Sequence, residues 1–111
     1  MARRRDHEMG KSLRQAAKTG DVEAIRALVA AGVPVDHADG DYAQTALHYA
    51  AREGRKEAVD ALLACGANPN ARNRDMRTPL HWAASNGTAS VVRALVAAGA
   101  DLMAKNAGRP C

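Results

Sequence analysis

One stretch of the sequence, Thr78-Pro79-Leu80-His81-Trp82-Ala83-Ala84, has related copies at two earlier places in the chain. The earlier copies read Thr45-Ala46-Leu47-His48-Tyr49-Ala50-Ala51 and Leu13-Arg14-Gln15-Ala16-Ala17. A glycine follows each copy, at Gly20, Gly54 and Gly87. These glycines are 34 and 33 residues apart, and a fixed period of this length is the signature of a repeat protein.

A second set of glycines, Gly32, Gly66 and Gly99, follows the same steps along the chain. Apolar residues at helical spacing precede each of them, and glycine commonly ends a helix in the left-handed conformation. Each copy therefore predicts two short helices, the second of which stops at the second glycine. Asp21 and Thr88 are good N-caps for the second helix, whereas Arg55 occupies this position in the middle copy and predicts a weaker start.

Polar stretches over residues 36–44 and 70–77 separate the predicted helix pairs and indicate extended turns. Alanine is the commonest residue, with 26 copies, and the chain has one Trp, two Tyr and no Phe. A core of small and aliphatic side chains favours closely packed helices. Because one short helix pair cannot bury its apolar face alone, we expect the pairs to stack side by side as a solenoid.

The third copy, continued by Gly87, Val91-Val92, Leu95 and Gly99-Ala100-Asp101, closely resembles an ankyrin repeat. The middle copy is similar but has Ala46 where the family has Pro. The first copy begins Lys11-Ser12-Leu13-Arg14, as N-terminal capping repeats of the family do. The resemblance implies an all-α ankyrin-repeat solenoid of stacked helix-turn-helix units with projecting β-turn fingers.

The resemblance covers residues 11–106 and divides them into repeats over about 11–39, 40–73 and 74–106. Residues 1–10 are predicted to form a flexible basic leader. Residues 107–111 are either a C-terminal tail or the start of a truncated further repeat, which leaves open that the chain is a fragment of a longer ankyrin array. A third repeat without a polar cap after it would expose apolar residues such as Val92 and Val96. We therefore expect self-association, a partner at that end, or marginal stability.

The formal net charge is +4, and residues 1–11 supply +2 of it, with Arg3, Arg4, Arg5 and Lys11 against Asp6 and Glu8. The rest of the chain mixes both signs, and this pattern argues against a nucleic-acid binder. The leader keeps one alternative open, namely a targeting or assembly subunit that contacts nucleic acid through these arginines.

Cys65 and Cys111 are far apart and have no metal-ligand spacing, so free thiols and a reducing compartment are expected. The chain has neither a secretory signal pattern at its start nor an apolar run of membrane-spanning length. These features predict a protein that does not enter the membrane and has an intracellular location, cytoplasmic or nuclear.

No residues are predicted to be catalytic, cofactor-binding or metal-binding. His48 and His81 fall in the Thr-x-Leu-His element, where the resemblance implies hydrogen bonds to the turn and to the neighbouring repeat. The serines, Ser12, Ser85 and Ser90, lie in no nucleophile context, and the glycines are spread one repeat apart rather than clustered in a phosphate loop. The prediction is a protein that is not an enzyme.

The resemblance implies a protein-interaction scaffold that binds a partner protein through its finger turns and through a concave groove along the first helices. Gln44 falls in the first finger and Lys18 in the groove. The partner-binding candidates carried over from the family are Asp41, Tyr42, Tyr49, Arg52, Glu53, Arg74, Asp75, Met76, Arg77, Trp82, Ser85 and Asn86. For Tyr49 and Trp82, simple packing between neighbouring helices is an open alternative.

The two fingers carry opposite charge in the sequence. The first contains Asp36, Asp39 and Asp41, and the second contains Arg72, Arg74 and Arg77 with Asp75 opposing them. This pattern predicts a bipolar partner segment, whose acidic part lies near the second finger.

Overall fold

The computed structural model describes residues 2–38 and 42–105, with side chains over 10–38 and 42–99. This part of the chain forms six helices and no strand. The helices are α1 (Ala2–Thr19), α2 (Val22–Ala30), α3 (Ala46–Arg52), α4 (Lys56–Ala64), α5 (Pro79–Asn86) and α6 (Ala89–Lys105). The all-α prediction is confirmed.

The six helices form three pairs that stack in one direction. α1, α3 and α5 pack side by side in one row, and α2, α4 and α6 pack in a second row behind it. Each helix of the first row also packs against the second helix of its own pair. This is the predicted solenoid, in which each pair covers the apolar face of its neighbour.

The core lies between the two rows and is built from aliphatic side chains and alanine. Leu13, Ile25, Leu47 and Leu62 are completely or almost completely buried. Six alanines have no exposed surface and allow adjacent helices to approach closely: Ala17, Ala46, Ala50, Ala51, Ala58 and Ala83.

The helix ends follow the local sequence signals. Asp21 caps α2 by accepting a hydrogen bond from the Ala24 N–H at 3.1 Å. Arg55 makes no side-chain cap at the start of α4, as the sequence predicted. The first helix of each pair is followed by a glycine with a positive φ, for example 79° at Gly20, which a side chain with Cβ would strain.

Both terminal helices are longer than the sequence predicted. α6 continues through Gly99 to Lys105, so the predicted stop at this glycine is wrong. A glycine weakens a helix without forbidding it, and the alanine, leucine, methionine and lysine residues that follow have high helix propensity. α1 begins at Ala2, so the backbone of residues 2–10 is helical where a flexible leader was predicted.

Cys65 corrects another expectation. It is disulfide-bonded rather than a free thiol, which removes the thiol argument for a reducing compartment. The chain's other cysteine, Cys111, lies outside the described residues. Within the described residues, no helix has the length and apolar character needed to span a bilayer.

Candidate functional site

The second finger, residues 70–77, is held by the side chain of Asn73. The Asn73 Oδ1 atom accepts hydrogen bonds from the backbone N–H groups of Asp75 at 2.8 Å and Arg77 at 3.0 Å. The Asn73 N–H donates in turn to the Arg77 carbonyl at 2.9 Å. Asn73 is only 5% exposed, so this turn is fixed from inside and presents its outer side chains to solvent.

The two fingers are joined to each other and to α5 through Gln44. The backbone N–H of Arg74 donates to the Tyr42 carbonyl at 2.7 Å. The Gln44 Oε1 atom accepts from Asn73 Nδ2 at 3.2 Å and from Trp82 Nε1 at 3.0 Å. One buried amide therefore positions both fingers and the indole ring relative to each other.

His48 has the structural role that the sequence predicted. Its Nδ1 atom accepts a hydrogen bond from the Thr45 N–H at 3.1 Å, and its Nε2 atom lies 2.9 Å from the Arg77 carbonyl in the next repeat. His81 makes the first of these contacts, with the Thr78 N–H at 2.9 Å, but its ring is exposed. Both histidines complete capping boxes at their helix starts.

Cations lie over aromatic rings along the first row of helices. The Lys18 Nζ atom is 5.6 Å from the centre of the Tyr49 ring. The guanidinium groups of Arg52 and Arg77 are 5.6 and 5.7 Å from the centre of the Trp82 ring. These distances are within the range of cation–π attraction, so the rings and the charges hold each other in place.

Most of the predicted partner-binding residues are exposed, and they fall on the second finger and on the ends of α3 and α5. Tyr42 and Met76 are each 59% exposed at the fingers. Tyr49 and Trp82 are half-buried, and Asp41 lies outside the described residues. The other exposed candidates are Arg52, Glu53, Arg74, Asp75, Arg77, Ser85 and Asn86.

Two of these residues also hold the fold together. The Asn86 Nδ2 group donates to the carbonyl of Arg52, which lies at the end of α3 in the preceding repeat. Trp82 donates to Gln44, so its ring packs between repeats and has a fixed position. Trp82 therefore packs between neighbouring repeats, which was the alternative considered for it, as well as lying on the candidate surface.

Sequence reasoning missed Asn73, and it treated Gln44 as a variable surface position. An Asn two residues before Asp75 is a weak signal for a side-chain turn. Gln44 carried no signal, because the equivalent residue of the next repeat, Arg77, has different chemistry.

No group of three or more His, Cys, Asp or Glu side chains converges within the part of the chain that the structure describes. The surface consists instead of exposed turns beside a row of first helices.

Comparison with known proteins agrees with this architecture. The family model for ankyrin repeats matches residues 13–106 in three copies, which is most of the chain. The chain belongs to the ankyrin-repeat family. Repeats of this family generally mediate protein–protein interaction and are typically non-catalytic.

Two larger proteins are similar to parts of this ankyrin-repeat chain. The transient receptor potential cation channel subfamily A member 1 homolog of Caenorhabditis elegans is 45% identical over 64 residues. These are 57% of this chain and 5% of the channel. A probable E3 ubiquitin-protein ligase, XBOS34, of Oryza sativa subsp. japonica is 39% identical over 58 residues, which are 51% of this chain and 11% of the ligase. The chain thus spans a small part of each relative.

Proposed function

We propose that this chain is a non-catalytic scaffold that holds a partner protein against its two fingers and the groove along α1, α3 and α5. The observation that carries the proposal is the finger surface: Tyr42 and Met76 are exposed, while Gln44 and Asn73 fix the turns beneath them. A surface that is already ordered loses little conformational entropy on binding. Tyr, Met and Arg are also types that are enriched at protein interfaces.

We also propose that the partner is bipolar, with its acidic part against Arg74 and Arg77 of the second finger. Both arginines are exposed, with Asp75 between them. Charges at the rim of an interface act mainly on the association rate and on register. The partner's basic part would then face the first finger, whose Asp39 and Asp41 lie outside the described residues.

The test compares two pairs of charge reversals with a purified partner. Arg74→Glu with Arg77→Glu should slow association about tenfold at low salt, because both changes fall within the contact surface. The control is Arg26→Glu with Arg93→Glu, two exposed arginines on α2 and α6 that change the net charge equally. Stopped-flow or surface-plasmon measurements give the rates, and equal slowing by both pairs would mean that net charge alone matters.

The salt dependence of binding separates the protein-binding proposal from the nucleic-acid alternative. Binding of an oligonucleotide through the basic leader would fall steeply with salt, since each neutralised phosphate releases counterions. A protein interface has a shallower salt dependence. Tight, steeply salt-dependent oligonucleotide binding that survives all four charge reversals would favour the leader as the functional element.

We further propose that the face of the third repeat beyond α5 and α6 contacts a second copy of the chain. Leu80 on α5 is 37% exposed, whereas Leu47, the equivalent residue of α3, is completely buried. Val96 on α6 is 57% exposed. An exposed apolar residue whose equivalent is buried in the preceding repeat, as Leu80 is, is typical of a surface that another molecule covers.

A further inference from the structure

Cations and aromatic rings alternate along the first row of helices, one step per repeat. Lys18 and Arg52 occupy the same position in successive repeats, and so do Tyr49 and Trp82. Each cation lies over the ring that the next repeat contributes, at 5.6 Å in both cases. Arg77 adds a second guanidinium group at Trp82. We call Lys18, Tyr49, Arg52, Arg77 and Trp82 the basic–aromatic row.

The row carries excess positive charge. The Arg52 side chain is 3.8 Å from a Glu53 carboxylate oxygen, and both side chains are well exposed to water. Neither Lys18 nor Arg77 lies within ion-pair distance of a carboxylate among the described side chains. Water screens an exposed pair such as Arg52–Glu53, so it neutralises the row only weakly.

The spacing of the row limits what can bind along it. Helices packed side by side lie about 8–10 Å apart. Because α1 packs against α3, equivalent positions such as Lys18 and Arg52 recur along the row at about that step. A polyproline II segment has three residues per turn and rises about 9 Å per turn. Side chains three residues apart in such a segment lie on one face and match the step of the row.

We propose that the partner segment that lies along the basic–aromatic row is an acidic peptide in an extended, polyproline II-like conformation. A carboxylate side chain at position i of the peptide would pair with Lys18, and one at position i+3 would pair with Arg52. This inference rests on the proposed protein-binding function and names the chemistry of the segment that the groove accepts.

The row fits an acidic peptide better than a single-stranded nucleic acid. Proteins that bind single strands stack bases on open aromatic faces beside a basic groove. At Trp82 two guanidinium groups already lie near the ring, and at Tyr49 the Lys18 ammonium does. A carboxylate can bind these cations while they remain over their rings, whereas a base would have to displace them.

The test uses the full chain with three probes: a peptide of four Glu-Pro-Pro triplets, the matching Lys-Pro-Pro peptide, and oligothymidine. Trp82 is the only tryptophan in the sequence, so its fluorescence reports binding at the row directly. We expect the Glu-Pro-Pro peptide to bind with a saturable change in fluorescence and the Lys-Pro-Pro peptide to cause none. Tighter binding of oligothymidine than of the acidic peptide would overturn the inference.

Matched variants locate the binding. Lys18→Gln with Arg52→Gln should weaken binding of the acidic peptide about tenfold, because two exposed charge pairs are lost. Arg26→Gln with Arg93→Gln removes the same charge from α2 and α6 and should change affinity by less than about twofold. Arg52→Lys keeps a cation and should retain most of the affinity. Equal weakening by both double variants would overturn the inference.

A random-peptide panel distinguishes failure of this inference from failure of the proposed function. Enriched peptides that are acidic every third residue, and lose binding in the Lys18→Gln, Arg52→Gln variant, support the inference. Neutral or basic peptides that lose binding in that variant would refute the acidic preference and leave the protein-binding groove intact. If no peptide is sensitive to the variant, both the inference and the groove proposal are wrong.

Discussion

At the scale of single residues, the same motif position has different consequences in different repeats. His48 and His81 both cap their helices, but His48 is completely buried and reaches the Arg77 carbonyl of the next repeat. His81 is exposed, and among the described residues its hydrogen bonds are with its own turn. The difference is in the neighbouring repeat, because the local sequence around the two histidines is almost the same.

We expect His48→Ala to lower the free energy of unfolding by about 3 kcal/mol, since it leaves a cavity and a carbonyl without its partner. The matched change His81→Ala should cost about 1 kcal/mol, the value of a helix cap. Urea denaturation followed by circular dichroism measures both. Equal losses in the two variants would show that the contact between His48 and Arg77 contributes nothing to stability.

At the scale of elements, the ends of the helices depend on both local caps and contacts between repeats. The carbonyl of Lys18, near the end of α1, accepts a hydrogen bond from Arg55 Nε at 3.0 Å. The carbonyl of Arg52 accepts one from Asn86. Each first helix that has a repeat after it is therefore capped by a side chain of that repeat, so its end is stabilised by stacking.

Two glycines within helices test how packing modifies helix propensity. A Cβ atom at Gly10 of α1 would lie 2.5 Å from the Nδ1 atom of His37, which is itself hydrogen-bonded to Arg14 at 2.8 Å. A Cβ atom at Gly99 of α6 would have no neighbour within 4 Å among the described parts of the chain beyond its own helix.

Gly10→Ala should therefore lower stability by about 1–3 kcal/mol, because the His37 ring must move. Gly99→Ala should raise stability by about 0.5–1 kcal/mol, because alanine favours the helix. Thermal or urea unfolding of both variants measures this. Stabilisation by both substitutions would mean that the ring of His37 moves aside without cost.

At the scale of the whole molecule, the stack has two different ends. The described exposed side chains of α1 that face away from the core include Lys11, Ser12 and Gln15, which are polar. The end formed by α5 and α6 exposes Leu80 and Val96 instead. An apolar end and a polar end disfavour head-to-tail stacking of copies, and they favour a two-fold dimer in which the two apolar ends meet.

We expect light scattering to detect a dimer of the full chain at micromolar concentration. Leu80→Glu with Val96→Glu should convert it to a monomer, because like charges would face each other across the two-fold axis. Arg26→Glu, on α2 at the other end of the stack, changes the net charge by the same amount and should leave the dimer intact. A wild-type chain that stays monomeric up to high concentration would contradict this proposal.

The period, the three helix pairs and the cap at Asp21 could be predicted from the sequence, and the family resemblance implied the role of His48. The helix pairs and the cap depend on residues within one repeat, so local spacing and side-chain chemistry are enough to specify them. Polar residues that interrupt the apolar periodicity indicated the extended turns, and the family resemblance implied that these turns are fingers.

The contacts between repeats could not be predicted from the sequence and are seen in the folded structure. The shared contacts of Gln44 with Asn73 and Trp82, and the position of Lys18 over Tyr49, join residues about 30 or more positions apart. Equivalent residues such as Leu47 and Leu80 differ in exposure because their repeats have different neighbours. A repeat motif specifies what each unit contains, but burial and nonlocal contacts depend on which units lie beside it.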